Sequence, residues 1–113
     1  MLIVERNRDM LGNLMELARG LGWTDKEIYG ADNVNGAKKF LGTGLIERVF
    51  TGFTHEGQAY GLDVMWKAIA AGISPERIAI GFLQAAPPAE RLVSGVKVID
   101  KTHPEEVKEF MGR

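Results

Sequence analysis

The residues with chemical potential gather at two places in the chain. Near the start, the run Val4-Glu5-Arg6-Asn7-Arg8-Asp9 sets two carboxylates and two guanidinium groups directly after apolar Leu2-Ile3-Val4. Carboxylates converging at a strand end can hold a divalent cation, provided enough oxygen ligands are present. Near the other end, Asp100-Lys101 follows a second apolar run. Elsewhere the candidates are isolated. His55 and His103 stand far apart, and neither has the spaced partner a zinc site needs. His55 falls in a glycine-rich loop and is expected in solvent, and His103 before Pro104 suits a loop or helix cap. Ser74 and Ser94 lack the G-x-S-x-G setting of an activated nucleophile. The absence of cysteine removes thiolate chemistry, disulfides and Cys-ligated metals. Gly42-Thr43-Gly44 is not followed by the G-K-[ST] of a phosphate-binding loop.

The elements that would position these groups are set by hydrophobic periodicity. Residues 2–5 form a short apolar run that predicts a buried strand. Over residues 10–21, Met10, Leu11, Leu14, Met15, Leu17, Ala18 and Leu21 recur at helical spacing. Asn7 or Arg8 precedes that helix, Asp9 suits its first turn, and Gly20 and Gly22 supply the stop. Residues 26–31 predict a second strand. Asp32-Asn33 offers a cap for a helix over 34–41, which Gly42 and Gly44 end. Residues 45–51 predict a third strand, and residues 52–61 a loop. A helix over 62–71 places Leu62, Met65, Trp66 and Ile69 on one face, with both Met65 and Trp66 expected in the core. A fourth strand covers 77–83. Pro87 and Pro88 end the strand pattern in a loop, because a central strand needs the amide hydrogens they lack, and a short helix is expected near 89–93. A fifth strand covers 96–100. Pro104 opens a terminal helix with Glu105 and Glu106 in its first turn and Arg113 near its end.

Strand followed by helix, five times over, predicts an α/β fold: a doubly wound five-stranded parallel sheet with helices on both faces. In such sheets the cleft lies at the carboxyl ends of the strands. Those ends are Glu5-Arg6, Thr51-Gly52, Gln84-Ala85 and Asp100-Lys101. The length of 113 residues suits one domain over 1–113. The formal net charge of −1, with no basic block, leaves no footprint for nucleic acid. The longest apolar runs are too short to span a membrane. Met1-Leu2-Ile3-Val4 has no basic region before it and does not read as a signal peptide. A cytoplasmic location is expected.

The chain resembles a response-regulator receiver domain of the CheY-like kind. Its opening, LIVERNRDMLGNLMELARGLG, is similar to the apolar strand, acidic strand end, polar turn and helix of receivers. GADNVNGAKKFL resembles their second strand and helix, Tyr60-Gly61-Leu62-Asp63-Val64-Met65 the start of their third helix, and SGVKVIDKTHPEEVKEF their ending. Trp23 resembles the aromatic after the first helix, and is expected to pack locally. The resemblance implies the flavodoxin-like strand order 2-1-3-4-5. It also implies a site: two acids after the first strand for Mg²⁺, an acceptor Asp ending the third strand, a Ser or Thr after the fourth and a Lys after the fifth. Glu5 matches the first acid, but Arg6 stands at the second. Gly52 stands at the acceptor, Gln84 is nearest the hydroxyl position, and Lys101 keeps the lysine, with the usual adjoining proline displaced to Pro104. Glycine cannot form an acyl phosphate, and a guanidinium beside one carboxylate suits no divalent cation.

These departures predict a pseudo-receiver: no phosphotransfer, no enzyme activity, no metal and no cofactor. Glu5, Arg6 and Lys101 are expected to form an internal ion-pair cluster or weak strand-end charges. With no output segment in these residues, the expected role is a signalling or scaffold module that meets another protein, or itself as a homodimer, in trans. The face that receivers commonly use would here include Lys97, Ile99, Val107 and Phe110, beside an altered or partly ordered fourth helix. The alternative is a small-ligand or anion sensor using the strand-end pocket. A weaker one is a degenerate Toprim-like enzyme of nucleic-acid strands built on Glu5 and Asp9, which lacks the later D-x-D.

Overall fold

The computed structural model describes residues 1–112, so the expectation for Arg113 lies outside the described residues. Strands β1 (Leu2–Val4), β2 (Tyr29–Ala31), β3 (Val49–Gly52), β4 (Ile78–Phe82) and β5 (Lys97–Asp100) form one sheet in the order β2-β1-β3-β4-β5. All neighbours run parallel. Helices α1 (Arg8–Gly20), α2 (Val34–Leu41), α3 (Tyr60–Ala70) and α4 (Pro104–Met111) complete the layers.

Alternation along each strand sorts the core into two halves. Leu2, Val4, Val49, Ile78 and Ile80 face α2 and α3, meeting Ala37, Leu41, Val64, Met65 and Ala68. Ile3, Phe50, Ala79 and Ile99 face α1 and α4, meeting Leu14, Ala18, Val107, Phe110 and Met111. Caps fix the helix starts. The Asn7 side chain accepts from the Met10 amide at 3.0 Å, and that of Asn33 accepts from Gly36 at 2.7 Å.

Several elements differ from expectation. Residues 25–27 form a 3₁₀ turn rather than strand, because the Glu27 carboxylate accepts from both the Thr24 amide and hydroxyl at 2.9 Å. The third strand begins only at Val49, after a turn at Gly44 with φ +74° that leaves Leu45 exposed. Helix α3 starts at Tyr60, two residues early. Between β4 and β5 there is no α-helix, only a 3₁₀ turn at Ala89–Arg91 directly after Pro87-Pro88. Trp66 is 57% exposed while Leu62, Met65 and Ile69 pack inward. One step of helix rotation from Met65 carries Trp66 past the buried stripe. Trp23 packs against the far end of the chain rather than locally. Its indole N–H donates to the Met111 carbonyl at 2.6 Å. The Arg48 guanidinium lies 5.5 Å from that ring and donates to the carbonyls of Phe110 and Gly112 at 2.9 and 2.7 Å. Together they occupy carbonyls that the end of α4 leaves open.

Candidate functional site

Glu5 leaves β1, an interior strand between β2 and β3, and is only 4% exposed. A carboxylate so deeply placed needs a partner. Lys101, just past β5, supplies it: Nζ lies 2.8 Å from Glu5 Oε2. The Lys101 amide donates to the Phe82 carbonyl at 2.8 Å, which holds its backbone beside β4. Its stem then crosses Gly81. A Cβ at Gly81 would stand 2.8 Å from Lys101 Cγ and 2.8 Å from the Phe50 ring, so the missing side chain is the path the lysine takes.

The other oxygen of the carboxylate meets two donors. The Asn7 amide donates to Oε1 at 3.3 Å, and the Tyr60 hydroxyl donates to the same atom at 3.4 Å. That hydroxyl also accepts from the Arg6 amide at 3.4 Å. Tyr60 is the first residue of α3, and it reaches the carboxylate by passing over Gly52. A Cβ at Gly52 would overlap the Tyr60 hydroxyl and lie 2.6 Å from Glu5 Oε2. Gly61 completes the fit, because a Cβ there would overlap the Gly52 carbonyl oxygen. Its amide donates to the Phe53 carbonyl at 2.9 Å and seats the start of α3 on the end of β3.

Burial, and secondarily the Glu5 charge, push the Tyr60 phenol well above its ordinary range, so it stays neutral and a donor. The result is one anion, one cation and one neutral hydroxyl, closed on each other. Mg²⁺ does not fit these residues. Only one carboxylate is present, Lys101 holds one of its oxygens, and the Arg6 guanidinium comes next in the chain. Among the described residues no group of three His, Asp or Glu side chains gathers elsewhere in a way that could hold an ion.

The expected site residues thus divide. Glu5, Gly52 and Lys101 come together. Arg6 is half-buried next to them, and its guanidinium makes no ion pair among the described residues. Gln84 is exposed and joins none of these contacts. Asp9 is exposed in the first turn of α1. His55 lies in a small hairpin, paired through its backbone with Gln58 around Glu56 and Gly57, both at positive φ. His103 sits on the surface, 3.2 Å from Glu106. Tyr60 is the member that sequence reasoning missed. The signal available was Tyr60-Gly61 opening a helix eight residues after a glycine at a strand end.

The expected contact face is corrected by burial. Lys97 is exposed, but Ile99, Val107 and Phe110 are 5, 4 and 8% exposed and belong to the core between the sheet, α1 and α4. On β5 it is Val98, one residue along, that turns outward.

No family model matches the chain, and no curated protein gives a significant match. Among solved structures it is similar to the crystal structure of a response regulator receiver domain protein (CheY-like) from Methanospirillum hungatei JF-1. The TM-score is 0.67 at 20% identity, over 96% of this chain and 86% of that one. At that identity the likeness speaks for the fold alone, and the fold is that of a receiver: a five-stranded parallel sheet in the order β2-β1-β3-β4-β5.

Proposed function

We propose that this chain is a single-domain receiver-type signalling module, cytoplasmic, that takes no phosphate and acts through contact with another protein or a second copy of itself. The observation that carries the reading is the occupancy of the strand-end site. Gly52 stands where the receiver pattern has an acceptor carboxylate, and the Tyr60 hydroxyl fills the space such a side chain would need. Lys101 is bound to Glu5 at 2.8 Å instead of facing an open cleft. A site closed by its own side chains favours one constant conformation over a switched one. Among the described residues no helix is long and apolar enough to cross a membrane.

The test is chemical. The protein is incubated with acetyl phosphate and Mg²⁺, and separately with beryllofluoride, and monitored by intact mass and by amide NMR shifts around Gly52. The expected result is no added mass and no shift. A phosphoryl adduct on any residue overturns the proposal.

A further inference from the structure

The two edges of the sheet are treated differently. Edge strands expose unpaired backbone groups, and proteins commonly guard them with charge. The β5 edge carries exposed Lys97. The β2 edge is Tyr29-Gly30-Ala31, with no charge within the strand. On its inner side the Tyr29 amide donates to the Met1 carbonyl at 2.9 Å, and the Ala31 carbonyl accepts from the Glu5 amide at 3.0 Å. Alternate residues of a parallel strand bond to the neighbour, so Gly30, in register with Ile3, turns its N–H and C=O to the open side.

That open side is a groove of about 490 Å³, not a flat rim. Its floor is the β2 edge at Gly30 and Ala31. Leu11, Gly12 and Met15 of α1 form one wall, and Gly36 and Phe40 of α2 the other. Arg8 and Asp32, paired at 2.8 Å, line its end at the carboxyl side of the strand. Gly12 is inside a helix, where glycine is destabilising by about 1 kcal/mol relative to alanine. A Cβ there meets nothing within 4 Å, so packing within the chain does not require the glycine. It keeps the wall low. The outward amide and carbonyl of Gly30 call for an extended backbone, and the apolar walls call for uncharged side chains on both of its faces.

We infer that the β2 edge is a docking site for an extended peptide segment of a partner, added as a sixth strand between α1 and α2. This is strand addition, in which main-chain hydrogen bonds give affinity and wall contacts give selectivity. The position a Gly30 side chain would take is filled from α1: a Cβ there would stand 2.6 Å from Met15 Sδ and 3.5 Å from Leu11 Cδ1. The peptide residue opposite Gly30 therefore lies against Met15 and Leu11, and an apolar side chain suits it. The inference does not depend on whether the strand-end cluster takes phosphate.

A random heptapeptide phage library panned on the immobilised protein, with synthesis of the enriched peptides, tests it. Two variants report on the groove. In Gly30→Pro the lost N–H is the outward one, a position where an edge strand tolerates proline. Any Cβ here presses on Met15 Sδ, 2.6 Å away, so Gly30→Ala, which keeps the N–H, is the steric control and should bind more tightly than Gly30→Pro. In Gly12→Lys the new side chain starts in open space and charges the wall. Circular dichroism and the thermal midpoint confirm that each variant folds. The expected result is enrichment of uncharged extended sequences and slowed hydrogen exchange of the Gly30 amide on binding. Each variant should weaken binding by about tenfold or more, the equivalent of one lost hydrogen bond or one misplaced charge. No enrichment overturns the inference, as do peptides that bind both folded variants unchanged or leave Gly30 exchange unaltered. A concentration-dependent dimer abolished by Gly30→Pro, with no peptide enriched, also overturns it and assigns the edge to a second copy.

Discussion

Two ion pairs in this molecule have the same length and opposite meaning. Lys101 and Glu5 meet at 2.8 Å with side chains 9 and 5% exposed, while Arg8 and Asp32 meet at 2.8 Å with side chains 85 and 29% exposed. The first joins residues 96 apart across the sheet, and the second ties the entrances of two neighbouring helices. Water solvates the second pair whether or not it forms, so its contribution is small. Both members of the first have lost their water, so each depends on the other. Distance alone does not distinguish the pairs. Burial does.

Breaking the buried pair is the largest test of that comparison. Lys101→Met leaves the Glu5 carboxylate without its cation and is expected to cost roughly 3–5 kcal/mol in urea unfolding. Glu5→Leu combined with Lys101→Met removes both charges, and is expected to recover much of that loss. A loss in Lys101→Met of the size of an ordinary surface change would show that water reaches Glu5 and that the pair is not interior.

The next test presses on the shape around the pair. Gly52→Ala introduces a Cβ that overlaps the Tyr60 hydroxyl and lies 2.6 Å from Glu5 Oε2. Overpacking of this kind is expected to cost about 1–3 kcal/mol. Removing the hydroxyl with Tyr60→Phe in the same chain relieves the overlap, so the two changes should be non-additive and the double variant more stable than their sum implies. Strict additivity would mean that Tyr60 does not fill the space above Gly52.

This part of the site shows where sequence reading stops. The apolar runs, the Asn33 cap and the Gly42 stop gave α2 its full extent, Val34–Leu41, because those signals are local. The parallel sheet was legible because strands alternate with helices over short connections, whereas the order β2-β1-β3-β4-β5 was expected only from the resemblance to receivers. Glu5, Gly52 and Lys101 were legible as strand-end positions. Tyr60 was not. Its role depends on two segments meeting in space, and a sequence shows Gly52 only as a missing side chain. The contact face failed for a related reason. Ile99, Val107 and Phe110 were placed by resemblance to a surface, whereas the alternation of β5 and the apolar stripe of α4 turn them inward. Trp66 erred in the opposite direction: helical spacing put it near a buried stripe, and one residue of rotation exposes it. The helix expected near 89–93 gave way to a 3₁₀ turn after Pro87-Pro88.

Tyr60→Phe alone is a smaller perturbation. It removes two long hydrogen bonds, both 3.4 Å, one donated to the buried Glu5 carboxylate and one accepted from the Arg6 amide, and is expected to cost roughly 0.5–1.5 kcal/mol at neutral pH. Its pH dependence identifies it. The folded chain raises the phenol above its ordinary value of 10.0, chiefly by burial. The unfolded chain therefore gives up the proton first. The contribution of the neutral phenol is fully present below pH 10 and falls as pH rises beyond it. Unfolding midpoints of wild type and Tyr60→Phe should converge in that alkaline range. A gap that stays constant through it would place the hydroxyl in solvent.

The exposed pair provides the smallest effect and the sharpest contrast. Arg8 holds the Asp32 carboxyl below its ordinary value, mainly through their hydrogen bond, with Asn33 adding a second. Any stabilisation this gives is present above the ordinary carboxylate value and is lost as pH falls through the lowered one. Arg8→Ala should therefore move the Asp32 titration upward, as read from carboxyl NMR shifts. Asn33 should still keep it somewhat low. At neutral pH the thermal midpoint should not change resolvably, because water takes over the contact. If Arg8→Ala destabilises the fold as much as Lys101→Met, the two pairs are energetically alike, and burial is not what separates the strand-end cluster from the surface.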